Sequence, residues 1–282
     1  MGKGTRKKVA WLLALLSLAA AVGPWGAAAA AEANVRVFLD GRPLSFEKAL
    51  VLADGYTLVP MRAIFEALGA EVAYESDTKT VTAVREYTTI RYTIGEREAT
   101  KNGDRVTLPA AGRLLDGVTY VPLRFVARSF GSFVSWEGGS NAVIVSTPPK
   151  HAATVEEVVD ARTLKVSFEQ EGVYTVRLIG VSPLETYREE ADAYAAERLA
   201  PGSLVWLETD EWGKELDGTI RAYVFFTEGA FYNAELVAQG YASALAEAPN
   251  SRWDALFAAL EADARRANRG GWAVEPTSPQ AK

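Results

Sequence analysis

At 282 residues the chain is long enough for two domains with separate cores, and its 49% hydrophobic and 23% charged residues are ordinary for globular protein. There is no cysteine and a single histidine, His151, which excludes disulfides, thiolate chemistry, a serine–histidine–aspartate triad and any site built on several imidazoles. Residues 151–282 hold 12 Lys+Arg against 22 Asp+Glu, a net of −10 that repels polyphosphate and argues against nucleic acid as a partner.

The first residues have the pattern of an export signal. Lys3, Arg6, Lys7 and Lys8 precede an apolar run over residues 9–22, Gly23-Pro24 breaks it, and the alanines at 27–31 offer small-residue cleavage sites. The run is short of the roughly 20 residues a membrane span needs. Residues 1–31 are therefore expected to be removed, leaving a secreted or cell-wall-associated chain with no membrane segment.

Residues 35–147 repeat themselves at a constant offset of 62. DGYTLVPMRAIFEALGAEVAYE (54–75) aligns without gaps on DGVTYVPLRFVARSFGSFVSWE (116–137), a strong sign of duplication. Within a unit, residues 35–39 and 42–44 flank the hairpin signal Asp40-Gly41. Pro60 and Pro122 stand where helices should begin, with proline suited to the first helical position. Met61, Ile64, Phe65 and Leu68 follow at helical spacing, as do Leu123, Val126 and Phe130, and Gly69 and Gly131 end the helices. Strands are expected at 71–74, 80–84, 89–94 and 142–146. The Pro-Met/Leu-Arg pattern after G-x-T-x-V resembles the copper amine oxidase N-terminal domain of bacterial secreted proteins, over about 34–147. That resemblance implies an extracellular stalk or surface-interaction module without known chemistry. Arg62 and Arg124 read as structural arginines bridging helix to sheet, with ligand contact as the alternative; Tyr56 and Tyr120 are candidate exposed aromatics.

Residues 148–152 read as a stiff Pro-Pro linker holding His151 in solvent. Beyond it, Leu164, Val166 and Phe168 alternate, with a strand partner at 173–179. The stretch VRLIGVSPLE (176–185) reads as a buried strand entering a Ser-Pro turn. A helix is expected at 189–199, strands at 204–208 and 220–226, and a helix at 234–239 capped by Asn233. A last helix is announced by Ser251 and Asp254. Its apolar face is Trp253, Leu256, Phe257, Leu260 and Ala264, and Gly270-Gly271 ends it. The whole is an α+β chain: a duplicated β-hairpin/helix/strand module, then a five-stranded OB-type β-barrel with helices. The tail 274–282 reads as disordered.

The stretches VVDARTLKV, VRLIGVSPLE, DGTIRAYVF and FYNAELVAQGYA, with the closing helix that ends in GGW, resemble the staphylococcal nuclease (thermonuclease) family over about 153–273. That family uses calcium held by aspartates, a glutamate base and two arginines. The resemblance assigns Arg177 to the first arginine and Glu185 to the base. The metal site is degenerate: D-G-D-T reads Asp160-Ala161-Arg162-Thr163, and D-T-P-E reads Ser182-Pro183-Leu184-Glu185. Y-G-R reads Asp217-Gly218-Thr219, so Thr219 stands where the second arginine is lost; Arg221, on the same strand face, is the candidate substitute. The base-stacking positions fall at Leu245 and Glu247. Calcium prefers several negatively charged oxygens, so a guanidinium at Arg162 should displace it, and Arg162 is expected to pair with Glu185 or Asp160. Two functions stay open. One is a secreted, non-catalytic binding or scaffolding protein facing wall polymer or an extracellular protein, with no cofactor or metal. The other is a weak phosphodiesterase with Glu185 as base, Arg177 as clamp and calcium as cofactor.

Overall fold

A computed structural model describes residues 31–169, 172–211 and 213–273. All but the last residue of the export-signal pattern expected at 1–31, and the tail at 274–282, lie outside the described residues.

The duplicated half begins with β1 (Ala31–Ala33), β2 (Arg36–Leu39), β3 (Arg42–Leu44), β4 (Leu50–Ala53), β5 (Tyr56–Pro60), α1 (Met61–Ala67), β6 (Glu71–Glu75), β7 (Thr80–Arg85) and β8 (Thr88–Thr93). The second copy supplies β9 (Glu98–Lys101), β10 (Asp104–Thr107), β11 (Arg113–Leu115), β12 (Val118–Pro122), α2 (Leu123–Ser129), β13 (Phe133–Glu137) and β14 (Ala142–Ser146). Pro60 and Pro122 close strands and occupy the cap position, one residue before the first helical position expected for them. Gly69 and Gly131 end the helices at φ +76° and +82°, the left-handed conformation that glycine adopts without a Cβ penalty.

A central sheet runs β1-β4-β5-β12-β11. At its middle Val59 faces Val121, its own counterpart in the repeat, so the two copies meet about a local two-fold axis. Each flanking sheet takes the hairpin of one copy and the later strands of the other: β10-β9-β8-β7-β6 and β13-β14-β2-β3. In the first, β8 stands between the two contributions and every pairing is antiparallel. In the second, β14 pairs directly with β2 in parallel, because the chain after β14 leaves the module.

It leaves as β15 (His151–Asp160), the first strand of a closed barrel. The linker expected at 148–152 is shorter than that: His151 and Ala152 already pair with Leu207 and Trp206. The barrel continues with β16 (Thr163–Ser167) and β17 (Val173–Leu178), followed by β18 (Val181–Pro183) and α3 (Arg188–Arg198). Next come β19 (Leu204–Glu208), β20 (Ile220–Phe226), α4 (Tyr232–Ala238), β21 (Ala242–Ala244) and α5 (Asp254–Arg266). Barrel order is β15-β16-β17-β20-β19, with β17 and β20 parallel, an OB-like closure. Two register shifts in β15 let this ten-residue strand bend around the barrel. Val155, Leu164, Val166, Val176, Leu178, Val205, Ala222 and Val224 fill the interior with no exposed surface.

Local expectations need three corrections in this half. The buried strand read across 176–185 is broken at Gly180 (φ +78°), whose missing Cβ makes room for the Phe257 ring; Ser182 and Pro183 lie in the separate pair β18–β21 rather than in a turn. Asn233 is not a cap. It lies inside α4, fully buried, accepting from the Val224 amide and donating to the Ile179 carbonyl at 2.9 Å each, so it ties the helix to two strands. Ser251 contributes only its carbonyl to the Asp254 amide, and α5 ends at Arg266 with Asn268 rather than glycine in the left-handed turn. The apolar face of α5 is as the spacing dictates: Trp253, Leu256, Phe257, Leu260 and Ala264 are all buried, each large side chain contributing about 1.5–3 kcal/mol.

The two halves share a core. Along β2 and β14 the side chains alternate: Val37, Val143 and Val145 face the duplicated module, while Phe38, Ala142 and Ile144 join the barrel's cluster. That is why all of β14 is buried. Phe133 lies 6.5 Å from both the Trp206 and Phe225 rings, Arg36 forms an ion pair with Asp263, and Gly41 (φ +82°) leaves no room for a Cβ against the Arg252 carbonyl.

Candidate functional site

The predicted residues lie around one mouth of the barrel, on β15–β18, β20 and the loops after β19 and β21. Strand pairing sets their neighbours: Thr163 is opposite Arg177, and Arg177 is opposite Arg221. Arg162, in the turn before β16, directs its side chain to the same region. Three guanidiniums thus gather where the resemblance implied two.

Two carboxylates meet them. Glu247, in the loop after β21, accepts from Arg162 Nη2 at 2.7 Å and from the Gly180 amide at 3.1 Å, and it also pairs with Arg221. Glu215 pairs with Arg221 at 2.9 Å and with Arg177 at 3.7 Å. The loop that carries Glu215 folds back on β20, the Arg221 amide donating to the Gly213 carbonyl and the Glu215 amide to the Thr219 carbonyl. Burial alone would raise the Glu247 carboxyl, but the hydrogen bonds from Arg221 and the Gly180 amide, with Arg162 beside them, hold it below the ordinary carboxylate range. Burial likewise works against the Arg221 charge, and the bonds to Glu247 and Glu215 outweigh it and raise its pKa. A groove of about 950 Å³ opens beside this cluster between the 211–217 loop and Ala248–Asn250, with Leu216 fully exposed at its rim.

The remaining candidates are not part of the cluster. Glu185 sits in a one-turn helix, exposed, and its carboxylate is held by Arg188 through both Nε and Nη2. Asp160 accepts the Arg162 amide at 2.8 Å, closing the turn between β15 and β16. Ser182 is half-buried in β18, and Thr219 is buried with its amide donating to Asp217 Oδ1. The expected pairing of Arg162 with Glu185 or with the Asp160 side chain is corrected: its partner is Glu247, with a second bond from Nε to the Leu178 carbonyl at 3.3 Å. Arg221, the candidate substitute, joins the ionic cluster, its side chain 15% exposed.

Calcium would need six to eight oxygens, several of them carboxylate. Asp160 has one oxygen committed to a backbone turn, Ser182 offers a neutral hydroxyl, and Glu185 is paired with an arginine. Among the described residues no group of three or more His, Asp and Glu side chains is placed to hold a metal ion. The donor set does not fit calcium.

Glu215 and Glu247 are the site residues that residue-by-residue matching missed. The signal for Glu247 was present in the sequence, since the resemblance sets an acid at a base-stacking position and Arg162 at a metal-aspartate position. Those two positions are 85 residues apart, and only the fold brings them together as a pair.

Known families account for both halves. Residues 38–145 match the family model of the copper amine oxidase N-terminal domain, and residues 158–274 match that of the staphylococcal nuclease homologue. No curated protein matches the chain. The chain therefore carries a copper amine oxidase N-terminal domain followed by a nuclease-like domain.

Proposed function

We propose that this chain is a secreted, non-catalytic binding or scaffolding protein in which a nuclease fold is kept as a rigid body. The observation that carries this reading is the internal neutralisation of the phosphate-binding mouth: Glu215 and Glu247 occupy the arginine donors that a scissile phosphate would need. Removing one phosphate-clamping arginine can cost about 10³–10⁵ in rate for phosphoryl transfer. Here Thr219 replaces one, Arg221 is sequestered, and the would-be base Glu185 is held by Arg188. Export rests on the pattern of residues 1–31, and wall polymer or an extracellular protein is the partner class that such a location favours.

One observation supports the alternative of a weak phosphodiesterase. Arg177 is 42% exposed, and its one ion pair among the described residues, to Glu215, is the longest in the cluster. A cleavage assay on the mature protein with DNA and RNA, with and without millimolar calcium, separates the readings. No cleavage above background is expected. Calcium-dependent cleavage that vanishes in Glu185→Gln would instead establish an enzyme.

A further inference from the structure

The two copies of the repeat differ where they should match if both were only structural. In the first, Arg62 lies 3.8 Å from Glu66 one helical turn on. In the second, the offset of 62 places Arg124 at the arginine and Arg128 where Glu66 stood. Among the described residues no carboxylate pairs with Arg124. Burial, and then repulsion from Arg128, lowers its pKa from the ordinary arginine value.

This arginine lines a cleft of about 420 Å³ built from both copies. Leu52 and Tyr56 come from the first, Arg124 and Trp136 from the second, and Val134 and Val143 line it as well. Leu52, Tyr56 and Trp136 are 42%, 37% and 42% exposed, so the cleft leaves apolar surface in solvent. At the counterpart positions the aromatic walls are reduced to Val118 and Tyr74. Relative to its counterpart positions, this cleft therefore combines an aromatic ring in place of a valine, a larger ring in place of a tyrosine, and a cation that no carboxylate among the described residues neutralises.

We propose that this cleft binds a sparsely charged acidic saccharide, the Tyr56 and Trp136 rings against the C–H face of a sugar and Arg124 on its carboxylate. Aromatic side chains offer rigid apolar faces with polar rims, and a guanidinium recognises a carboxylate through paired hydrogen bonds. A densely charged polyanion such as polyphosphate fits less well, because the whole chain carries a formal charge of −6 that repels it at a distance. The inference gives a ligand class and a location to the binding role proposed above, and rests on it.

Isothermal titration calorimetry on the full mature chain tests it, with a hyaluronan hexasaccharide as the acidic probe and neutral chitohexaose as its counterpart. The acidic probe should bind at least about tenfold more tightly than the neutral one, and Arg124→Gln should weaken it by about tenfold or more. Trp136→Ala should weaken it about three- to tenfold, and Arg62→Gln, at the counterpart position, should leave it unchanged. Thermal melts of each variant confirm that these exposed sites leave the fold intact. Equal affinity for the two sugars, no binding at millimolar probe, or binding indifferent to Arg124→Gln and Trp136→Ala would overturn the assignment, as would tighter binding of an acidic peptide to the same cleft. DNA cleavage by the barrel would instead defeat the non-catalytic reading and leave these titrations as they are, so the two failures are distinguishable.

Discussion

The barrel mouth and the repeat cleft both hold arginines, and they treat them in opposite ways. At the mouth, Arg162 and Arg221 are closely held by Glu247 and Glu215, and Arg177 more loosely, so the guanidiniums work as rivets between loops. In the cleft, Arg124 has lost the acid that its repeat counterpart keeps, and exposed rings stand beside it. A cation closed onto its own chain strengthens a fold, while one left open keeps its hydrogen-bonding capacity for something else. The contrast shows that the number of basic residues at a site says less about ligands than the acids placed against them.

Glu137 is a case between these two, and it carries the largest predicted effect. It is buried at the junction of the halves, near Arg198 and Arg269, yet those cations are already engaged. Arg198 forks onto Glu235, and Arg269 donates to the Ala238 and Gly139 carbonyls. Burial, then repulsion from Glu235, raises its carboxyl from 4.5 to about 7 against the opposing pull of Arg269 and Arg198. With a folded pKa above the unfolded one, the folded state holds the extra proton, so this group's contribution to stability is fully present below about pH 4.5 and is lost as pH rises through about 7. The loss should be about 3 kcal/mol at most, seen as a falling melting temperature between pH 5 and 8 that Glu137→Gln flattens. A melting temperature independent of pH over that range would show that the junction neutralises Glu137 as thoroughly as the mouth does its arginines.

At the mouth itself, Glu247→Gln should cost about 2 kcal/mol in chemical denaturation, because it leaves Arg162 without its carboxylate and Arg221 with Glu215 alone in a partly desolvated place. The value lies below that of a fully buried pair because a fifth of each side chain reaches water. No change would mean that the cluster is loose and its arginines available. Arg124→Gln gives the smallest effect: stability should stay within about 0.5 kcal/mol of the parent, as expected for a cation that holds nothing together. A clear destabilisation there would make Arg124 a structural residue after all.

Much of the fold could be read from periodicity and glycine placement, because alternating apolar residues such as Leu164 and Val166, or the i, i+3, i+4, i+7 face of Trp253, Leu256, Phe257 and Leu260, encode which side is buried. Local signals failed where a polar residue served tertiary structure. Asn233 has the chemistry of a cap, but it bridges two strands from inside a helix, a role visible only once β17 and β20 are adjacent. Arg62 likewise pairs along its own helix rather than to the sheet. At the mouth, matching found Arg162, Arg177 and Arg221 and missed what neutralises them, since a carboxylate's partner depends on folding and not on spacing.

Phe38 and Ile144 point away from the module that makes them and into the barrel. No hinge separates the halves, so a saccharide gripped at the repeat and whatever the barrel's outer face touches would keep a fixed distance and bearing. Force on one half would pass to the other through that shared core, and the molecule would behave as a strut.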